Sequence, residues 1–169
     1  MRTPKALLII FVAICTSGCV GPRSSHLSPV QRFQLLKAAC AYGDTRPVEI
    51  LLEAGAHPDG GPDWITDSIG GKYGDEFQSP LSTAARNGHT EIMRLLLSRG
   101  AHIDLAEGEG QTPLVSAISA KQKAAVALLL ASGADPNSPF VEHYLARSDD
   151  PELIAMVMDA KANKRLTKR

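Results

Sequence analysis

The sequence predicts an all-α repeat solenoid built from short helix pairs. The segment Ser79-Pro80-Leu81 recurs as Thr112-Pro113-Leu114 after about 33 residues, a period within the range of solenoid repeats. A Gly-Ala pair follows the leucine at the same distance in both copies, and Leu36 stands at that distance before Gly55-Ala56. Aromatic residues make up only 5% of the chain. The core must therefore rely on leucine and alanine, which favours closely packed helices.

The landmarks of each copy are residues that begin or end helices. Ser79 and Thr112 are candidate N-caps, and the proline after each occupies the first helical position, where its missing N–H is no loss. Gly88 permits the left-handed turn between the two helices of the middle copy. Triplets of large aliphatic residues fill the layer between copies: Ile50-Leu51-Leu52, Leu95-Leu96-Leu97 and Leu128-Leu129-Leu130.

The middle copy resembles the ankyrin repeat nearly throughout, from Ser79-Pro80-Leu81 through Gly88-His89 to Gly100-Ala101. The resemblance implies helix-turn-helix units with short hairpin fingers, stacked so that neighbouring repeats bury each other's apolar faces. It extends over residues 29–163 as about four repeats, of which the terminal ones are degenerate caps. The repeats are assigned to residues 29–59, 77–106, 110–137 and 138–163.

Departures from the repeat pattern predict local differences. The first helix begins early, at Ser28-Pro29, as expected of a capping repeat. Lys121 replaces the turn glycine of the third copy, which predicts strain or another turn conformation there. Gly133 and Phe140 are half as far apart as the corresponding residues of the preceding copy, so the last finger is expected to be missing. The basic residues 164–169 are expected to form a frayed tail.

Residues 1–18 have the features of a cleavable lipoprotein signal peptide. Two basic residues are followed by an apolar run over residues 6–14 and by small residues before Cys19. The run is shorter than the roughly 20 residues of a spanning helix. Ser17-Gly18-Cys19 resembles the lipobox of bacterial lipoproteins, whose cysteine carries the lipid, although Thr16 stands where leucine is usual. An ordinary cleaved signal and an uncleaved anchor are the alternatives.

The residues after the predicted cleavage site indicate where the protein resides. Val20 follows Cys19, as in outer-membrane lipoproteins of enterobacteria, which lack aspartate at that position. We therefore expect a lipid-anchored protein of the bacterial cell envelope, on the outer membrane and facing the periplasm. Residues 19–28 are expected to form the lipidated cysteine and a short flexible tether to the repeats.

Charge and cysteine content exclude two classes of protein. The chain has 18 basic and 18 acidic residues, and loss of a leader containing Arg2 and Lys5 leaves the mature chain slightly acidic. This balance provides no excess positive charge to bind nucleic acid. Cys40 is the one cysteine of the repeats, so the fold does not depend on an intramolecular disulfide.

The sequence contains no motif typical of an enzyme or a metal site. It has no His-Glu-x-x-His and no Gly-x-Ser-x-Gly, and Gly70-Gly71-Lys72 lacks the serine or threonine of a phosphate loop. His57 and His102 take the same place in successive copies, which indicates shared repeat ancestry rather than metal ligands. His89 is the ordinary repeat histidine, and Cys40 is expected to be a buried filler. We therefore predict a non-enzymatic protein without a cofactor.

An insertion between the first two copies is the first candidate site for a partner. The stretch from Gly55 to Leu81 is nearly twice as long as the regular stretch from Gly100 to Leu114. The extra segment, residues 60–76, contains Tyr73 and the only tryptophan, Trp64. Long loops in compact domains are usually functional or disordered, and aromatic residues dominate interface energetics. The alternatives are that Trp64 covers the exposed side of the first repeat, or that the segment is disordered.

The resemblance implies a second contact region, on the concave face made by the fingers and the first helices. Carried over by position, the helical contact residues are Ala41, Tyr42, Arg86, Asn87, Ser119 and Ala120. Those of the fingers are Asp75, Glu76, Gln78, Gly108, Glu109 and Gln111. The finger acids Asp75, Glu76, Glu107 and Glu109 favour a basic partner, and a solvated edge is the alternative.

These features predict a membrane-tethered, monomeric scaffold that binds another protein. The resemblance extends to ankyrin-repeat lipoproteins that act as immunity proteins, blocking secreted antibacterial effectors such as phospholipases in the periplasm. A periplasmic chaperone or assembly factor and a structural lipoprotein are the alternatives. The assignment of a specific role rests on analogy with the family alone.

Overall fold

The computed structural model describes residues 27–60, 78–107 and 110–166, which form eight helices in four successive pairs. These residues include no strand, and one antiparallel bridge joins Glu107 to Gln111. The prediction of an all-α repeat solenoid is confirmed. The helices are α1 Pro29–Tyr42, α2 Thr45–Glu53, α3 Pro80–Asn87, α4 Thr90–Ser98, α5 Pro113–Ser119, α6 Lys123–Ala131, α7 Pro139–Ala146 and α8 Pro151–Leu166.

The first helix of each pair begins where the sequence predicts, at a serine or threonine followed by proline. The side-chain oxygens of Ser28, Ser79 and Thr112 each accept a hydrogen bond from the backbone N–H three residues later. The Gln31 side chain also accepts from the Ser28 N–H at 2.9 Å, which completes a capping box. Ser138 occupies the same place before α7 but makes no such hydrogen bond. Three of the four first helices are therefore capped by a side chain.

Neighbouring repeats pack first helix on first helix and second helix on second helix. Leu51, Leu96 and Leu129, the central residues of the aliphatic triplets, are fully buried, and Val157 is buried in α8. Each buried leucine contributes roughly 1.5–3 kcal/mol relative to an exposed one. The core therefore runs along the whole stack and holds each pair of helices against the next.

The turns inside the first three repeats each contain a left-handed residue. Gly88 has φ +75°, and a Cβ atom there would lie 2.5 Å from Oε1 of Gln122. Lys121 has φ 55° at the equivalent turn of the third repeat. It is the one non-glycine residue with positive φ in the described part of the chain. The turn conformation is therefore retained with strain of about 1–2 kcal/mol.

The last helix differs from the frayed end that the sequence suggested. Helix α8 has 16 residues against 9 in α6, and it continues through Leu166, so the expectation is wrong for residues 164–166. Nζ of Lys161 contacts Oε1 of Glu142 at 3.0 Å, and Nζ of Lys164 contacts Oδ1 of Asp135 at 3.1 Å. These ion pairs tie the extended helix to α7 and to the loop before it.

Candidate protein-binding surface

The predicted helical contact residues lie at the ends of first helices that pack side by side. We call Tyr42, Arg86, Asn87 and Ser119 the contact row. They come from α1, α3 and α5, and α3 packs between the other two helices. Tyr42 is 44% exposed, and the other three residues are exposed as well. The stacking of the repeats therefore brings residues that are distant in sequence to one surface.

Two members of the contact row are engaged within their own helix. Nδ2 of Asn87 donates a hydrogen bond to the carbonyl of Thr83 at 2.8 Å, and the Ser119 hydroxyl donates to a carbonyl one turn earlier at 2.9 Å. Arg86 forms no salt bridge with any residue that the structure describes. Tyr42 and Arg86 belong to residue types that are enriched among binding hot spots. They are the strongest candidates for partner contacts in the row.

His89 holds the end of α1, and with it Tyr42, in place. Nε2 of His89 lies 3.2 Å from the carbonyl oxygen of Ala41. The imidazole also packs over Gly43, where a Cβ atom would lie 2.5 Å from the ring. These contacts join the start of α4 to the end of α1. The structural role expected of this histidine agrees with its position.

Glu107 is not an exposed finger acid, contrary to the expectation from sequence. It is 4% exposed, and its Oε1 accepts a hydrogen bond from the Ser79 N–H at 2.7 Å. Burial raises the pKa of its carboxyl group, while hydrogen bonding to Ser79 and the positive charge of Lys37 oppose the shift. Its backbone pairs with Gln111, with both N···O distances below 3.0 Å. Glu107 therefore ties the finger to the start of α3.

Among the other predicted finger residues, the two that the structure describes are uncharged. Gln78 and Gln111 are half-buried. Asp75, Glu76, Gly108 and Glu109 lie outside the described residues. The expected negative bias therefore loses Glu107, and the preference for a basic partner stays a prediction.

The first residue of the insertion, Gly60, lies at the junction of α1 and α3. A Cβ atom on Gly60 would lie 2.3 Å from the Phe33 ring and 3.0 Å from Cδ of Pro80. Gly60 therefore lies next to Pro80, the residue at which α3 begins. The predicted anchors Trp64 and Tyr73 lie outside the described residues.

Two aspartates that were not among the predicted functional residues link the loops of successive repeats. Oδ1 of Asp59 accepts a hydrogen bond from the His102 N–H at 2.8 Å, and Oδ1 of Asp104 accepts from the Asp135 N–H at 2.9 Å. A signal was present, because Asp59, Asp104 and Asn137 each stand three residues after a Gly-Ala pair. These bonds fix the spacing of the repeats on the side where the fingers begin.

His57 and His102 both approach Asp59. Nδ1 of His102 is hydrogen-bonded to Oδ2 of Asp59, and Nδ1 of His57 lies 4.0 Å from the same oxygen. In residues 27–60, 78–107 and 110–166, no group of three histidine, cysteine or acidic side chains is arranged to hold a metal ion. The three residues act as a link between repeats.

Cys40 is a packing residue, as its position in the repeat suggested. It is fully buried in the core, and burial raises the pKa of its thiol to about 12. The thiolate is the nucleophilic form of cysteine, and at neutral pH almost none is present at this position. The side chain therefore fills space between α1 and its neighbours.

The predicted lipid attachment site, Cys19, lies outside the described residues, and so do all of residues 1–18. Within the part of the chain that the structure describes, no helix combines the length and apolar character needed to cross a membrane.

Comparisons with known proteins find the same repeats. A family model described as ankyrin repeats (three copies) matches residues 35–139, more than half of the chain. Ankyrin repeat, SAM and basic leucine zipper domain-containing protein 1 of Echinops telfairi is 32% identical over 144 residues, covering 78% of this chain and 27% of that protein. The protein of the same name from Loxodonta africana is 31% identical over the same length.

A fungal relative shows a similar match. Ankyrin repeat protein nuc-2 of Neurospora crassa is 36% identical over 126 residues, which are 70% of this chain and 11% of that protein. The chain therefore spans only about a quarter or less of the length of these relatives.

Proposed function

Because the chain belongs to the ankyrin-repeat family, whose repeats serve protein–protein interaction, we propose that it binds another protein through the contact row and the neighbouring insertion. The exposure of Tyr42 and Arg86 on a stack of packed helices carries this proposal. Rigid helices lower the entropic cost of presenting such side chains to a partner. The insertion is included because its first residue, Gly60, lies beside α1 and α3.

Binding by the contact row is tested with two variants of its residues in the full chain and one control variant. Arg86→Glu and Tyr42→Ala are expected to reduce capture of a stoichiometric partner by at least tenfold. Arg94→Glu is the matched control, because Arg94 is an exposed arginine of the second helix in the same repeat. If Arg94→Glu abolished capture and Arg86→Glu left it unchanged, the binding site would lie on the second helices, and the contact row would not be the site.

The proposed scaffold is tethered to the bacterial envelope through a lipid on Cys19. The support is the basic start of the chain, the apolar run over residues 6–14 and the lipobox-like Ser17-Gly18-Cys19. A single acyl chain holds a protein to a bilayer only marginally, so stable attachment needs two or more chains. The localisation that we propose is the periplasmic face of the outer membrane.

The tether is tested by replacing the acceptor thiol. Cys19→Ser is expected to abolish incorporation of a palmitate analogue and to release the protein from the membrane fraction. Cys15→Ser, inside the proposed leader, is the matched control and should leave labelling unchanged. Labelling that survives Cys19→Ser would contradict the tether.

The specific role that we propose is immunity against a secreted antibacterial effector such as a phospholipase. The support is the combination of a lipoprotein-like leader with a short ankyrin stack, which resembles lipoproteins that block such effectors. A scaffold of this kind neutralises an enzyme by covering its active site. A candidate lipase should lose activity on titration with one equivalent of the protein, and full activity at saturation would contradict the role.

A further inference from the structure

The loop between α4 and α5 grips the last residue before the insertion. Asp59, which directly precedes Gly60, is only 6% exposed. Its Oδ1 accepts the His102 backbone N–H at 2.8 Å, and its Oδ2 is hydrogen-bonded to Nδ1 of the His102 ring. One residue of the second repeat therefore holds both oxygens of a buried carboxylate from the first repeat.

The histidine of this pair is open to solvent although the carboxylate is not. The His102 side chain is 73% exposed, against 7% for that of Asp59. A proton can therefore reach the imidazole without unfolding of the loop. The Asp59 carboxylate already makes this a charge-assisted hydrogen bond, and protonation of His102 turns it into an ion pair between two charged groups.

The groups around the pair allow this change to act on Asp59. His57 is the other titratable residue that approaches Asp59, and its Nδ1 accepts the Asp59 backbone N–H at 3.3 Å. The guanidinium of Arg32 donates to the carbonyl oxygens of Ala54 and Gly55, just after α2, at 3.4 and 3.3 Å. Asp104, two residues beyond His102, is engaged with the next repeat. No salt bridge from a described lysine or arginine competes for Asp59.

We propose that Asp59 and His102 form a clamp between the first two repeats that tightens when His102 takes up a proton. The clamp sets how firmly the base of the insertion is held to the stack. It is a property of the fold and does not depend on the proposed partner, the lipid anchor or the immunity role. Acidification through the neutral range is therefore expected to stabilise this junction.

The direction follows from proton linkage. The hydrogen bond and the charge of Asp59 raise the pKa of His102 above its usual 6.5. The folded state then binds the proton more tightly than the unfolded state does. The stabilisation is fully present below the unfolded pKa and is lost as the pH rises through the folded pKa. Because His102 is exposed, salt and solvent screen the effect, and low ionic strength favours its detection.

The first test is a histidine NMR titration of the full chain at low ionic strength. The His102 ring is expected to titrate with a midpoint above 6.5 in the wild type, and Asp59→Asn should lower that midpoint. A midpoint that is unchanged by Asp59→Asn would overturn the clamp. The His143 ring provides the internal control, because it lies on α7 and is not in contact with Asp59.

The second test uses stability, so that the proposal does not rest on one variant. Urea unfolding of the full chain is compared at pH 5.5 and pH 8 for wild type, His102→Gln and the control His143→Gln. The wild type and the control should show a higher unfolding midpoint at pH 5.5, and His102→Gln should lose the part of that increment that comes from the clamp. Retention of the whole increment in His102→Gln would overturn the proposal.

Discussion

At the scale of single residues, two side chains occupy positions that their chemistry tolerates poorly. Lys121 adopts the left-handed backbone that glycine supplies in the equivalent turn of the second repeat. Glu107 places a carboxylate in the packed base of a finger, where its main hydrogen bond comes from the Ser79 N–H. Both positions are therefore sites where substitution is expected to change stability in a defined direction.

Relief of strain at Lys121 is the first prediction. Lys121→Gly should raise the free energy of unfolding by about 1 kcal/mol, because the left-handed conformation is free of steric strain for glycine. Urea unfolding of the full chain measures the change. Gly88→Ala is the converse variant and should lower stability by at least a similar amount, since its Cβ would meet Gln122. A stability loss in Lys121→Gly would contradict the assignment of strain to this turn.

Removal of the buried charge at Glu107 is the second prediction. Burial raises the pKa of this carboxyl, so the stability linked to its protonation is present below its unfolded pKa and lost as the pH rises through the folded value. Glu107→Gln keeps an oxygen for the Ser79 N–H and should stabilise the fold by about 1 kcal/mol at pH 7.

The control for Glu107→Gln is the pH dependence of the same comparison. The advantage over the wild type should shrink toward pH 4, where the wild-type carboxyl is itself protonated. Unfolding curves at pH 4, 5.5 and 7 measure the trend. An advantage that grows on acidification would show that hydrogen bonding, not burial, dominates at this residue.

The sequence predicts Cys40 well and Glu107 poorly for a physical reason. Cys40 stands where the second and third repeats carry a buried alanine or isoleucine, so the repeat pattern itself indicates its environment. Glu107 lies among polar finger residues, and its burial depends on a hydrogen bond to Ser79, 28 residues earlier. Such a long-range contact leaves no periodic signal in the sequence.

At the scale of helices, the capping residues determine which helix starts contribute to stability. The Ser79 hydroxyl accepts a hydrogen bond from the Ser82 N–H at 3.1 Å, whereas the Ser138 side chain caps no N–H group. Ser79→Ala is therefore expected to lower the free energy of unfolding by about 1 kcal/mol. Ser138→Ala should change it by less than about 0.5 kcal/mol. Equal losses in the two variants would contradict the observed difference in capping.

Helix starts are easier to predict than the last helix end. Serine or threonine before proline marks every first helix, and all four begin at that proline. The second helices of the inner repeats end before Gly100 and Gly133, whose left-handed backbone stops the helix. In the last repeat Lys161 stands in place of that glycine, so α8 has no stop signal and continues to Leu166. The absence of that glycine therefore explains why the end of the chain is helical through Leu166.

At the scale of the whole molecule, each repeat is held by its neighbours. Aspartates link the loops, His89 joins α4 to α1, and buried leucines fill the layers between helix pairs. Stability in such a stack is approximately a sum of repeat and neighbour terms. The same stacking aligns Tyr42, Arg86 and Ser119 on one surface. The repeat pattern was sufficient to predict those positions, whereas the insertion has no repeat equivalent from which its contacts can be inferred.

The central claim is that the contact row binds a protein, and site-specific photocrosslinking tests it most directly. A photoreactive phenylalanine analogue is introduced at Tyr42 in one variant. In another variant it is introduced at Arg94, on the second helix of the second repeat. Envelope preparations from cells that produce each variant are irradiated and analysed by mass spectrometry. The account predicts one partner crosslinked from position 42 and none from position 94. Crosslinks from position 94 alone would contradict it.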